Sequence, residues 1–132
     1  MTPRRILSHT AGLGVGGFVG YRPGESIPTA VDVVAGRGNS DAVLRIGPAG
    51  ESVRYSGGGS TLLQVALTDV TGQNFSTLLR EKVLKPLGMT HSTYEQPLPT
   101  KTWPNHSAGH DRAGRPIPGR FHVYPEQFPA GL

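Results

Sequence analysis

Glycine and proline punctuate this chain so often that only short regular elements can form over most of its length. Nineteen glycines and twelve prolines are spread through 132 residues, and each one interrupts helix or strand propagation. The interruptions thin out between Ser60 and Pro86, where the clearest periodicity lies. Leu62, Leu63, Ala66, Leu67 and Val70 recur at helical spacing, and Gly72 is placed to end that helix. Asn74 can cap a second helix, whose apolar stripe is Phe75, Leu78, Leu79 and Val83, and Pro86 stops it. The pattern predicts helices over 60–71 and 75–85, paired antiparallel or at an angle across a tight turn.

The flanks carry weaker signals. Ile6-Leu7 followed by Ser8-His9-Thr10-Ala11-Gly12 reads as the last turn of a helix running into a glycine stop. Val43–Ile46 and Ser52–Tyr55 alternate as strands do, either as a small hairpin or as extended loop. From Glu95 to Gln127 the pattern dissolves into proline, glycine, histidine and arginine. A loop that long is uncommon in a compact domain, so it is expected to lie over a partner surface, with a short extended segment near Phe121–Tyr124.

Length and composition bound the function. The chain is long enough for one domain, but only 36% of its residues are hydrophobic, which points to a loop-rich body with a modest core. The net charge of +4 comes mostly from scattered arginines. Without a clustered basic stripe interleaved with aromatics, a nucleic-acid partner is not expected. There is no cysteine, which removes disulfides, thiolate nucleophiles and cysteine metal sites. No run of eighteen apolar residues suggests a membrane span, and Met1–Leu13 lacks the apolar core and cleavage site of a signal peptide.

Several motifs point to chemistry and then fail on context. Gly12-x-Gly14-x-x-Gly17 satisfies a dinucleotide fingerprint in form, but that site needs a strand before it and a helix after it. Pro23-Gly24 stands where the helix should run. His106 and His110 have the spacing of a helical zinc pair, yet Pro104, Gly109, Gly114 and Pro116 argue against a helix there. They read as solvated loop histidines, with no metal or cofactor expected. Asn74 and Asn105 head glycosylation sequons that nothing else in the chain supports. Ser8 beside His9 diverges by about 100° on a helix and reads as packing. Ser60 lacks the flanking pattern of a nucleophile elbow, and no Ser-x-x-Lys occurs anywhere.

One stretch keeps its chemical interest. In Val53-Arg54-Tyr55-Ser56-Gly57-Gly58-Gly59 an ionisable phenol precedes backbone almost free of side chains. The glycines let a ligand or another loop approach the main chain. A tyrosine can act as a general base when its surroundings lower a pKa normally near 10.

Four segments together resemble the serine β-lactamase and penicillin-binding-protein superfamily, near the class C β-lactamases and their esterase relatives. Arg5-Ile-Leu-Ser-His-Thr-Ala-Gly-Leu13 is similar to the family's LLSHTSGL segment. Tyr55-Ser56-Gly57 stands at the place of its Tyr-x-Asn motif. Val70-Thr-Gly72, then Val83-Leu-Lys-Pro-Leu-Gly-Met89 and Ser92-Thr-Tyr94, are similar to VTG…VLxPLGMxxT. Tyr124-Pro-Glu-Gln127 through Ala130-Gly-Leu132 resembles the AAGGL stretch.

The resemblance implies a cleft between a helical domain and an α/β domain, in which a serine attacks a carbonyl to give an acyl-enzyme. It implies that Tyr55 is the catalytic tyrosine, sharing the proton with a lysine. Gly57 stands at the substrate-binding position where the family often has Asn, and losing that amide favours a relaxed, esterase-like acyl specificity. The family's Ser-x-x-Lys belongs upstream of Arg5 and its Lys-Thr-Gly strand beyond Leu132; Lys101-Thr102-Trp103 matches neither the sequence nor the place.

Residues 1–132 are therefore expected to be one truncated β-lactamase-like domain. Its fold class is mostly α with long loops, a helical subdomain lacking most of the α/β sheet domain. The full-length protein would hydrolyse esters, β-lactams or peptidoglycan peptides, small-molecule acyl substrates, while this chain alone is inactive. Apolar faces on helices 60–71 and 75–85 are expected to be exposed and to drive self-association. The alternative is a non-catalytic binding or accessory module derived from the helical subdomain.

Overall fold

The structure, a computed structural model, describes residues 1–130. Five helices follow in order: α1 (Pro3–Leu7), α2 (Ala30–Val34), α3 (Gly57–Thr71), α4 (Phe75–Leu79) and α5 (Gln127–Ala130), with α4 running on as a π-helical turn over Arg80–Leu84. Long loops connect them. Among the described residues, β structure is limited to isolated antiparallel bridges, Leu13 with Arg45, Tyr21 with Val123 and His110 with Pro116. The expected architecture of helices with long loops is what the chain adopts.

Local sequence explains where the helices start and stop. Pro3 opens α1 and Thr2 caps it, its hydroxyl accepting from the Arg5 amide at 3.4 Å. Thr29 and Asp32 form a reciprocal capping box on α2. Gly72 ends α3 in the left-handed conformation at φ 64°, and Asn74 caps α4 by accepting from the Ser76 amide at 3.0 Å. Both helix boundaries and the tight turn between them were legible in advance. The π-helical turn, with Lys85 N–H on the Arg80 carbonyl at 2.9 Å, leads directly into Pro86, which lacks the amide to continue a ladder.

The helix α3 is the hub, packing against α1, α2 and α5. Ile6, Ala11, Leu13 and Leu63 make the core cluster, with Val43, Leu62 and Phe128 against it. Phe75 adds a second apolar centre, edge-on to Tyr94 at 5.8 Å and to Phe128 at 5.7 Å.

Three details refine the expectations. First, α3 begins at Gly57, three residues earlier than its periodicity shows, because tertiary contacts hold the glycines in helical conformation. Second, the buried face of α3 is Gly57, Gly58, Gly59, Thr61, Leu63 and Gln64, and of its apolar stripe Leu67 at 39% and Val70 at 86% are exposed, as expected of this helix. Hydrogen bonding decides this face: Gln64 donates from Nε2 to the Pro125 carbonyl at 2.8 Å and accepts from the Phe128 amide at 3.0 Å. On α4 and its extension Phe75, Leu78 and Leu84 are buried, so the expected exposed apolar face is confined to α3. Third, of the two alternatives for these segments the extended loop is adopted, and 43–46 forms no hairpin with 52–55. It pairs with 12–14 instead, through Gly14 N–H to the Leu44 carbonyl at 2.9 Å and Ile46 N–H to the Gly12 carbonyl at 2.8 Å. The extended segment expected near Phe121–Tyr124 is present, with Tyr21 and Val123 exchanging both backbone bonds at 2.8 and 2.7 Å.

Candidate functional site

The exit of α1 and the entrance of α3 meet at Tyr55. His9 leaves α1 at φ 56°, a left-handed conformation unusual outside glycine, asparagine and aspartate. That turn puts its carbonyl 2.8 Å from the Arg54 amide and its Nδ1 3.4 Å from the Ser56 amide. Because the amide donates, Nδ1 is the unprotonated nitrogen, and in the neutral ring Nε2 carries the proton. The Tyr55 ring rests on this imidazole with centroids 4.6 Å apart and planes at 48°. Tyr55 is 61% exposed, so the phenol reaches solvent from a seat that the fold provides.

Ser56 is committed to structure. It is buried; its hydroxyl donates to the Gly14 carbonyl at 2.6 Å and accepts from the Gly59 amide at 2.9 Å, capping α3. Ser8 is exposed and bonds Thr10 at 2.9 Å between hydroxyls, and among the described residues no bond joins it to the His9 ring. Ser60 lies in the first turn of α3.

The glycine triplet admits another loop. A Cβ on Gly57 would lie 2.9 Å from the Gly16 carbonyl oxygen, and one on Gly58 2.8 Å from a Val43 methyl. The Gly57 and Gly58 amides bond the Gly16 and Val15 carbonyls at 3.2 and 3.0 Å. Gly57 is thus buried beneath Tyr55, and the helix N-terminus is satisfied by the chain itself. The same packing disposes of the dinucleotide fingerprint: Gly12 sits in a left-handed turn at φ 70°, and the next helix after Gly17 begins at Ala30.

His106 and His110 share no helix. The first holds the Trp103 carbonyl through Nδ1 at 2.8 Å, and the second lies in the bridge to Pro116. Among the described residues no group of three or more His, Cys, Asp or Glu is placed to hold a metal. No helix among them is long and apolar enough to cross a membrane.

Comparison with known proteins decides the family. The family model described as Beta-lactamase matches residues 1–132. The chain belongs to the Beta-lactamase family. This β-lactamase-family chain is also similar in structure to the D-amino acid amidase from Ochrobactrum anthropi SV3, solved in complex with L-phenylalanine amide. The TM-score is 0.62 at 22% identity, covering 99% of this chain and 36% of the amidase chain. At that identity the likeness is one of fold, and the present chain spans little more than a third of the amidase. No curated protein matched in sequence.

Two residues of the β-lactamase-family chain escaped the sequence reading. His9 read only as packing, and its position after the helix stop gave no sign of a left-handed seat for a ring 46 residues away. Glu126 gave no signal at all. It is completely buried, with neither carboxylate oxygen bonded among the described residues, and burial pushes its pKa up. Of the AAGGL-like segment, Gly131 and Leu132 lie outside the described residues.

Proposed function

We propose that this chain is the central, mostly helical portion of a serine hydrolase, and that Tyr55 serves as its catalytic tyrosine. The observation that carries the reading is the Tyr55 phenol, exposed to solvent on the His9 ring within a β-lactamase-family chain. In the full-length protein the phenolate takes the proton of a serine hydroxyl as that oxygen bonds to the substrate carbonyl carbon. The proton passes to the leaving group when the scissile bond breaks, and water then hydrolyses the acyl-enzyme. A neighbouring lysine ammonium would hold the phenol in its ionised form. Esters, β-lactams and peptidoglycan peptides are the substrate classes, small acyl compounds in every case. Gly57 is packed against the Gly16 carbonyl, so a side chain there would meet the scaffold rather than the substrate, and the substrate-binding role that the resemblance implies for position 57 is left to its backbone.

The serine and lysine of that chemistry have no Ser-x-x-Lys counterpart in the sequence, and the Ser56 hydroxyl is occupied as a cap. The chain by itself is therefore inactive. Leu67 and Val70, exposed along α3, are the surface through which it self-associates.

Incubation with a fluorophosphonate and with a penicillin, followed by intact-mass measurement, tests this reading. No adduct is expected from the chain alone, and a stoichiometric adduct from the extended protein. An adduct on the chain itself, mapped to Ser8, Ser56 or Ser60, would replace the proposed mechanism.

A further inference from the structure

Loops of the C-terminal third frame a half-open hollow. A cavity of about 950 Å³ lies between residues 90–107 and 121–124, within the size range of small-molecule sites. Its lining combines Trp103, Phe121 and Tyr124 with Glu95, and contains no lysine or arginine. The wall is braced from outside. His122 Nδ1 lies 2.7 Å from the Val19 carbonyl oxygen, and the Tyr124 amide donates to Gln96 Oε1 at 3.1 Å. Phe121 is edge-on to His106 at 5.4 Å.

Two groups in this wall lack a partner. Glu95 is half-buried and takes part in none of the ion pairs among the described residues. His106 meets the Trp103 carbonyl at 2.8 Å through a protonated Nδ1, and in the neutral ring Nε2 is then a lone-pair acceptor. That Nε2 is buried and has no donor. An anionic ligand would meet a carboxylate with no lysine or arginine in the lining, its histidines being His91, His106 and His122, and a purely apolar ligand would strand Glu95 away from water. Aromatic faces beside a single unpaired carboxylate instead favour a cation that also donates hydrogen bonds.

We propose that the cavity lined by Glu95, Trp103, His106 and Phe121 binds a small organic ammonium bearing an apolar or aromatic group. The ammonium pairs with the Glu95 carboxylate against the aromatic faces. The apolar group fills the space beside Trp103 and Phe121. This site is independent of Tyr55 and of the acyl chemistry proposed for it, so either proposal can fail alone.

The chain contains a single tryptophan, and it lies in this wall, so the intrinsic emission of the full chain reports on occupancy directly. Titration with benzylammonium chloride at neutral pH is expected to give a saturable change. Benzyl alcohol, of nearly equal shape and no charge, should bind at least about tenfold more weakly, as for loss of a charge-assisted hydrogen bond. Glu95→Gln should weaken benzylammonium to a similar degree, with an unchanged far-UV circular dichroism spectrum showing that the variant is folded. Should that variant misfold, the alcohol comparison on the unaltered chain decides the matter. A non-saturating response, equal binding of the alcohol, or a folded Glu95→Gln variant with undiminished affinity would overturn the proposal. So would an emission maximum of fully water-exposed indole in the free chain, because the cavity would then not be formed.

Discussion

A methyl group at position 57 has nowhere to go, with the Gly16 carbonyl oxygen 2.9 Å from where it would sit. Gly57→Ala is expected to destabilise the chain by about 1–3 kcal/mol, as overpacking does, read as a lower urea midpoint. Gly17→Ala is the control: nothing lies within 4 Å of its Cβ position and its φ is not positive, so the change should be neutral or slightly stabilising. Glu126 makes the opposite case, a large side chain enclosed where its charge is unwelcome. With its folded pKa raised above the unfolded value near 4.3, its contribution is most favourable below that value. It is lost as pH rises through the folded pKa. Glu126→Gln should therefore be more stable than the parent at pH 7, with the gap closing toward pH 4 in parallel urea titrations. Residue-scale punctuation such as Gly72, Asn74 and Pro86 was legible because each acts on its own backbone. Glu126 was not, since its burial depends on chain far away in sequence.

At the scale of elements, α3 shows what periodicity alone leaves out. Leucine and valine spacing marks one stripe, but Gln64 bonds both Pro125 and Phe128 and turns its own side inward. Gln64→Leu leaves a carbonyl and an amide unpaired, and a cost of about 1–3 kcal/mol is expected. Hydrogen exchange at the Phe128 amide should accelerate, while amides in the middle of α3 change less. The short helix α2 leans on its capping box. Hydrogen bonds from the Thr29 hydroxyl first, then from Arg37 and the Thr29 amide, lower the Asp32 pKa to about 2. A depressed pKa contributes stability that is complete above about 3.9, the unfolded value, and is lost as pH falls through about 2. Thr29→Ala should flatten that acid limb of the stability curve, measured by thermal unfolding between pH 5 and pH 2. The glycines and prolines around α2 allowed only a short element there, and the helix is five residues long.

For the whole molecule, the family and the helical character were readable from segments such as His9-Thr10-Ala11-Gly12-Leu13 and Pro86-Leu87-Gly88-Met89, and the match across residues 1–132 agrees. The cavity walls between 90 and 124 were not readable, because they are built from turns and single side-chain bonds that leave no period. Leu67 and Val70 remain on the surface of a chain that spans 36% of the amidase it is similar to. Sedimentation velocity is expected to show concentration-dependent association, reduced by the double change Leu67→Lys and Val70→Lys.

The junction at His9 limits how this site can be altered. Arg54 and Ser56 give their amides to His9, Ser56 caps the longest helix, and Gly57 abuts the Gly16 carbonyl. Every neighbour of the phenol in sequence is already in use by the scaffold, so substitutions there trade the site against the fold. Anyone wishing to re-aim Tyr55 must work from across the gap, on the imidazole beneath it, where a change of ring tilts the phenol and leaves the Ser56 cap of α3 in place.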